Sequence, residues 1–139
     1  MIVVDEYIAA RVLKGRWPAD LPDDDLVLPS TRHWRLLQAL HGGRGGQLSR
    51  LFADAPADVV AALRWPHPEV LQILDPRPLL DEAAVLAARF GGTGLLIAES
   101  LAAGLAYGRH LWFGAVPNVG HLTERASGEL GIQLHVVGD

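Results

Sequence analysis

The 139-residue sequence contains no cysteine. Disulfide bonds and thiolate-based sites are therefore excluded, and a reducing, cytoplasmic setting is expected. A structural zinc site is disfavoured as well, because such sites usually draw on cysteine ligands. The beginning of the chain lacks the basic region and long apolar core of a signal peptide. These absences direct attention to carboxylate, imidazole and arginine chemistry.

Long hydrophobic runs and an excess of positive charge are also lacking. The longest apolar segment, Gly94 to Tyr107, is interrupted by Glu99 and is too short to span a bilayer. The formal net charge is −4, so contact with nucleic acid would need a local basic patch. Hydrophobic residues make up 50% of the chain and charged residues 20%. This composition predicts one soluble domain over residues 1–139.

Several motifs of known chemistry are missing. The glycine-rich stretches 41–46 and 91–94 both follow predicted helices, and the first lacks the Gly-Lys-Ser/Thr ending of a phosphate-binding loop. There is no Gly-x-Ser-x-Gly elbow of a serine hydrolase. The six histidines contain no His-x-x-x-His pair, although His110, His121 and His135 could approach one another in space. A nucleotide-binding α/β domain stays open as a hypothesis and requires the Gly92 loop to open at a strand end.

Apolar runs alternate with helical patterns along the whole chain. The predicted strands are 1–4, 26–28, 70–74, 111–113 and 132–137, and the predicted helices are 8–14, 33–40, 49–53, 57–63, 79–90, 93–107 and 122–130. No hairpin signal joins two strands, so the pattern predicts a three-layer α/β/α sandwich with a central parallel sheet of about five strands. The clearest helix is 79–90, in which Leu80, Ala83, Ala84, Ala87 and Ala88 share a face.

Two acids are candidates for chemistry. Asp5 follows the first strand, and ligands of open α/β sheets bind beyond the C-terminal strand ends. Taken alone, Asp5 is better explained as the N-cap of the next helix. Glu99 lies in an otherwise apolar helix, where a buried carboxylate must be paired or bind a metal. The equally weighted alternative places Glu99 on an exposed stripe near Arg109.

A block of basic residues extends from Leu26 to Ala53. It contains four arginines, two histidines and no acid. Such a block could contact phosphates or an acidic peptide, or it could be a solvated face. Arg32, Arg35 and Arg44 are the candidate nucleic-acid contacts.

The order of these elements resembles the PIN domain, the fold of many bacterial toxin ribonucleases of toxin–antitoxin pairs. Met1-Ile2-Val3-Val4-Asp5 is similar to the opening strand and first catalytic Asp of that family. Ile73-Leu74-Asp75-Pro76 and the helix after it are similar to the third strand and the helix that follows. The last run of helix, strand, helix and strand corresponds to 95–107, 111–113 and 122–137. The resemblance covers nearly the whole chain.

The resemblance implies an endoribonuclease in which clustered carboxylates hold Mg²⁺ or Mn²⁺ and activate water. Asp5 matches the first catalytic and metal-binding acid, and Glu99 matches a later one after a shift of a few residues. Two further acids of the family are missing. The family has an acid on the helix after the second strand, and the corresponding position here is about Arg35. After the fourth strand the family has a Thr or Ser and then an acid, and Phe113 to Val116 offers neither.

Two functional hypotheses follow. In the first, the divalent-metal site is weakened or lost, and the protein acts by binding RNA without cleavage, an antitoxin-like protein, or a second copy in a homodimer. In the second, the protein is an active, divergent Mg²⁺-dependent ribonuclease toxin, with a carboxylate cluster rebuilt from Asp5, Glu6 and Glu99. No membrane partner is expected under either.

Overall fold

A computed structural model describes residues 1–42 and 46–138. Within these residues, five strands form one sheet in the order β3-β2-β1-β4-β5, and every neighbouring pair is parallel. The strands are β1 Ile2–Val4, β2 Leu26–Leu28, β3 Gln72–Ile73, β4 His110–Phe113 and β5 Gln133–Val136. All strands therefore end at the same edge of the sheet, where polar residues that follow them meet.

Seven α-helices within the described residues cover the two faces of this sheet. They are α1 Glu6–Leu13, α2 Ser30–Gly42, α3 Gln47–Arg50, α4 Ala57–Arg64, α5 Leu80–Arg89, α6 Leu95–Ala106 and α7 His121–Leu130. Short 3₁₀ turns occupy Arg77–Leu79 and Val116–Asn118. The predicted three-layer α/β/α sandwich with a five-stranded parallel sheet is confirmed.

Strands β1 and β2, in the interior of the sheet, are continuous apolar runs because both faces of the sheet are buried. Ile2, Val4 and Leu28 pack with α1 to α4 in one core, whereas Val3 and Val27 pack with α5 to α7 in the other. Alternate side chains of one strand thus belong to different cores, as the period of two in a strand requires.

The buried face of α5 differs from the one the sequence suggested. Leu79, Ala83, Leu86 and Phe90 are buried, whereas Leu80 is 46% exposed. The predicted apolar face was wrong at Leu80, Ala84 and Ala88, which are exposed, because the larger side chains at 79, 86 and 90 fill the space above the sheet. No helix among the described residues is long and apolar enough to cross a membrane.

Candidate functional site

Asp5, Glu6 and Glu99 are buried carboxylates at or beside the C-terminal edge of the sheet. Asp5 directly follows β1, Glu6 is the first residue of α1, and Glu99 lies in α6. Their exposed fractions are 2%, 0% and 1%. Carboxylates at this depth require partners, and each has a different set.

Asp5 caps α1 and also ties that helix to the end of β4. Its Oδ1 accepts a hydrogen bond from the Ile8 amide at 2.9 Å. Its Oδ2 accepts from the Gly114 amide at 3.0 Å and from Asn118 Nδ2 at 2.6 Å. The prediction that Asp5 is an N-cap is confirmed. Both oxygens of Asp5 are therefore already engaged by N–H donors.

The pKa of Asp5 is raised from 3.8 to about 6. Burial is the largest cause, and the charge of the adjacent Glu6 adds to it. Hydrogen bonds from the Ile8 and Gly114 amides and the charge of Arg32 act in the opposite direction. Desolvation thus outweighs the hydrogen bonds, and Asp5 titrates in the mildly acidic range.

Glu6 is held by two arginines of α2. Arg32 Nη1 lies 3.0 Å from Glu6 Oε2, and Arg35 Nη1 lies 3.2 Å from Oε1. The two guanidinium groups differ in exposure, since the side chain of Arg32 is 3% exposed and that of Arg35 is 37% exposed. Asn118 Nδ2 also lies 3.2 Å from Glu6 Oε1, so this amide bridges Asp5 and Glu6.

Arg32 is fixed from several directions. Its Nε donates to Ser100 Oγ at 3.0 Å, and Ser100 Oγ in turn donates to the Leu96 carbonyl at 2.9 Å. Its guanidinium carbon lies 5.5 Å from the centre of the Phe113 ring. The planar guanidinium of an arginine suits this use of several donors at once. A positive charge therefore occupies the space among α1, α2, α6 and the end of β4.

Glu99 satisfies the first turn of α2. Its carboxylate accepts from Ser30 Oγ at 2.9 Å and from the Thr31 amide and Oγ1 at 2.9 and 3.1 Å. A negative charge here suits the positive end of the helix dipole. The exposed-stripe alternative is wrong, because Glu99 is buried while Arg109 donates to the Leu130 carbonyl.

This arrangement does not fit Mg²⁺ or Mn²⁺. Hard divalent cations need several free oxygen ligands, whereas Asp5 and Glu6 accept from N–H groups and Glu99 accepts from hydroxyl and amide donors. Among residues 1–42 and 46–138, no three or more His, Asp or Glu side chains are grouped so that they could hold a metal ion. The void beside Asp5 and Arg32 has a volume of about 10 Å³, which is room for about one water molecule.

The three arginines that are candidate nucleic-acid contacts differ in their exposure to solvent or lie outside the described residues. Arg32 faces Glu6 in the interior, Arg35 faces Glu6 from a half-exposed position, and Arg44 lies outside the described residues. Their role toward nucleic acid stays a prediction. The sequence reading missed Asn118, whose position soon after β4 was the signal that could have found it.

A groove of about 440 Å³ opens next to the carboxylates. Gly114 belongs to its wall and also donates to Asp5. The groove is lined by two arginines, two aromatic residues and an amide side chain, with no acidic residue among the described lining: Tyr7, Arg11, Arg16, Trp17 and Gln47. Basic and aromatic groups together suit an anionic ligand with planar rings.

Comparison with known proteins does not assign the chain to a family. No protein-family model matches it, and no curated protein or solved structure matches it significantly. The PIN resemblance therefore remains a prediction from the sequence.

Proposed function

We propose that this chain is a PIN-like protein of the toxin–antitoxin ribonuclease lineage in which Arg32 has replaced the divalent cation, and that it acts by binding rather than by hydrolysis. The observation that carries this proposal is the buried pair of Arg32 and Glu6, 3.0 Å apart. The five-stranded parallel sheet and the position of Asp5 beyond β1 support the lineage.

The electrostatics support the loss of the metal. A cation entering beside Glu6 would meet the guanidinium groups of Arg32 and Arg35. To bind, it would have to break the buried Glu6–Arg32 pair and leave Arg32 without a counter-charge, which is costly in a dry interior. The arginine supplies the neutralising charge that a metal would otherwise bring to the carboxylates.

The groove beside Gly114 supports single-stranded RNA as the ligand. Arg16 and Arg11 can contact phosphates, and the rings of Tyr7 and Trp17 can stack on bases. The sugar-phosphate backbone of the RNA would then pass close to the buried carboxylates without meeting a metal ion. The RNA would be held and left intact.

A homodimer or an antitoxin-like protein partner remains a further part of the proposal. Trp65 is 85% exposed and Trp34 is 60% exposed, and Trp is among the residues enriched at protein–protein interfaces. Phe52, by contrast, is buried in the core of its own chain. Light scattering coupled to size-exclusion chromatography would give the oligomeric state directly.

The second candidate is an active Mg²⁺-dependent ribonuclease. Its support is the burial of Asp5, Glu6 and Glu99 around the same end of the sheet. This function requires Arg32 to leave its position and release Glu6. The nucleotide-binding alternative requires the Gly92 loop to open at a strand end. This condition is not met, because the Gly92 loop joins α5 to α6.

One pair of experiments separates binding from hydrolysis. Calorimetric titration with Mn²⁺ and Mg²⁺ is expected to show no millimolar-range binding to the wild type or to Asp5→Asn. A labelled single-stranded RNA of mixed sequence is expected to bind and to run intact on a denaturing gel after incubation with either metal. RNA cleavage that depends on Mg²⁺ and is lost in Asp5→Asn would establish the ribonuclease instead.

The RNA site has its own matched control. Arg16→Gln removes a charge from the groove, and Arg125→Gln makes the same change on α7, where the side chain is exposed. Fluorescence anisotropy is expected to show weaker RNA binding for Arg16→Gln and unchanged binding for Arg125→Gln. Equal weakening in both variants would mean a non-specific effect of net charge.

A further inference from the structure

Two histidines meet on the neighbouring strands β4 and β5. His110 Nδ1 lies 2.8 Å from His135 Nε2, and the two rings are stacked with their centres 5.1 Å apart. His110 is exposed and His135 is half-buried, so solvent reaches the pair. His110 begins β4, whereas the carboxylates lie at the other end of the strands.

A hydrogen bond between two neutral rings explains part of this geometry, because one nitrogen can donate and the other accept. A neutral imidazole is also the form that binds transition metals. In a tautomer shift, the donating ring moves its hydrogen to its other nitrogen. Both facing nitrogens can then bind one metal ion in place of the shared hydrogen.

The separation of the two nitrogens is compatible with joint binding of one metal ion. Two nitrogens bound at about 2.0–2.1 Å to one metal are about 2.9 Å apart at a right angle and about 3.3 Å apart at a tetrahedral angle. The observed 2.8 Å is the length of the hydrogen bond between the two rings, and it also lies close to the right-angle value. Square-planar and tetragonal nitrogen sites are typical of Cu²⁺ and Ni²⁺, whereas Zn²⁺ prefers tetrahedral sites.

We propose that His110 Nδ1 and His135 Nε2 form a two-point binding site for Cu²⁺ or Ni²⁺, with water at the remaining positions. Parallel pairing of β4 with β5 fixes the backbone positions of both residues. The site does not depend on the function proposed for the carboxylate end, because none of its atoms belongs to that centre.

Trp112 holds one ring and supplies a reporter. Its indole stacks on His135 with ring centres 4.1 Å apart and an interplanar angle of 15°, and it is paired with His135 in the strand register. A packed neighbour reduces the rotation that His135 would lose on binding a metal. Paramagnetic Cu²⁺ at the site would also quench the fluorescence of Trp112.

The test is a titration of the full chain, carrying no histidine tag, with CuCl₂, NiCl₂ and ZnCl₂ near pH 7.5, followed by calorimetry and tryptophan fluorescence. We expect one Cu²⁺ per chain, saturable quenching, and affinity for Zn²⁺ at least tenfold lower. His110→Gln and His135→Gln are each expected to lose tenfold or more in Cu²⁺ affinity, whereas His121→Gln keeps the wild-type value.

Two further measurements keep the result decisive. Trp112→Phe should lose most of the quenching yet retain the heat of Cu²⁺ binding, because the tryptophan is a reporter and not a ligand. His110→Gln changes an exposed side chain, so its folding, checked by circular dichroism, should match that of the wild type. Wild-type affinity for Cu²⁺ in folded His110→Gln would overturn the proposal.

Discussion

Arg32 Nη1 donates to Glu6 Oε2 across 3.0 Å, and both side chains are almost completely shielded from solvent. Each group depends on the other, since a buried charge without its partner is far less stable than the pair. Arg35 reaches the other oxygen of Glu6 but stays half in solvent, where water screens its charge. Arg32 is therefore a structural cation in the interior, whereas Arg35 is a peripheral one.

Substitution of Arg32 is expected to destabilise the protein strongly. Arg32→Gln leaves the buried Glu6 with only the half-exposed Arg35 and the neutral Asn118 amide as described partners, and the free energy of unfolding should fall by about 3 kcal/mol. Arg35→Gln is the matched control and should cost at most about 1 kcal/mol, because its ion pair is partly solvated. Urea denaturation measures both values, and equal losses would contradict the distinction.

Removal of both arginines is expected to open a metal site. In Arg32→Ser/Arg35→Ser, Glu6 loses its guanidinium donors, and the vacated volume can admit a hydrated cation. Calorimetry should detect Mn²⁺ at millimolar concentration in this variant. Adding Asp5→Asn should remove that binding. If the folded double variant binds no Mn²⁺, that result would argue against Arg32 as the substitute for a metal.

The raised pKa of Asp5 predicts that stability decreases with rising pH in the mildly acidic range. Between 3.8 and about 6 the folded state keeps a proton that the unfolded state has lost, so each increase in pH favours unfolding. The contribution present below the lower pKa is gone above about pH 6. It amounts to a difference on the order of 3 kcal/mol in the free energy of unfolding.

Comparison of the wild type with Asp5→Asn isolates this contribution. The exposed Asp24 and Asp75 have lowered pKa values, and their stabilising effect is lost as the pH falls. These opposite contributions are present in both proteins and cancel in the difference. Thermal or urea unfolding between pH 3.5 and 7 should show that the free energy of unfolding of the wild type, relative to that of Asp5→Asn, falls by about 3 kcal/mol as the pH rises. Parallel profiles would disprove the shift.

Loss of Glu99 is expected to weaken the start of α2. Glu99→Ala leaves the Ser30 hydroxyl and the Thr31 amide without their acceptor, at a cost of about 1–3 kcal/mol. Hydrogen exchange should increase at the first turn of α2. Glu129→Ala is the control, because this exposed residue only faces Arg89 at 3.7 Å. Comparable losses in the two variants would contradict the capping role.

Gly114 should tolerate no side chain. A Cβ atom at this position would lie 2.5 Å from the Cβ of Tyr7, so Gly114→Ala must displace either α1 or the end of β4. We expect a loss of about 1–3 kcal/mol. Gly128→Ala places a methyl group in open space on α7, and it should be neutral or stabilising by up to about 1 kcal/mol. Matching values would show that the close approach is unimportant.

Much of the fold was predictable because it depends on local patterns. Continuous apolar runs such as Ile2–Val4 and Leu26–Leu28 predict buried parallel strands, and the structure confirms them. The N-cap role of Asp5 follows from its place before α1. The face of α5 was assigned wrongly at Leu80, Ala84 and Ala88, because small alanines fit several faces and the shape of the neighbouring layer decides which of them is buried.

The order of strands and helices along the chain, the absence of thiol chemistry and the local role of Asp5 could all be predicted from the sequence, because they depend on composition or on residues near one another in the chain. The partners of Glu6 and Glu99, the burial of Arg32 and the contact of His110 with His135 became visible in the folded chain alone. Those contacts join residues 25 to 112 positions apart. Their geometry is fixed by how the helices pack across the sheet and how its strands pair.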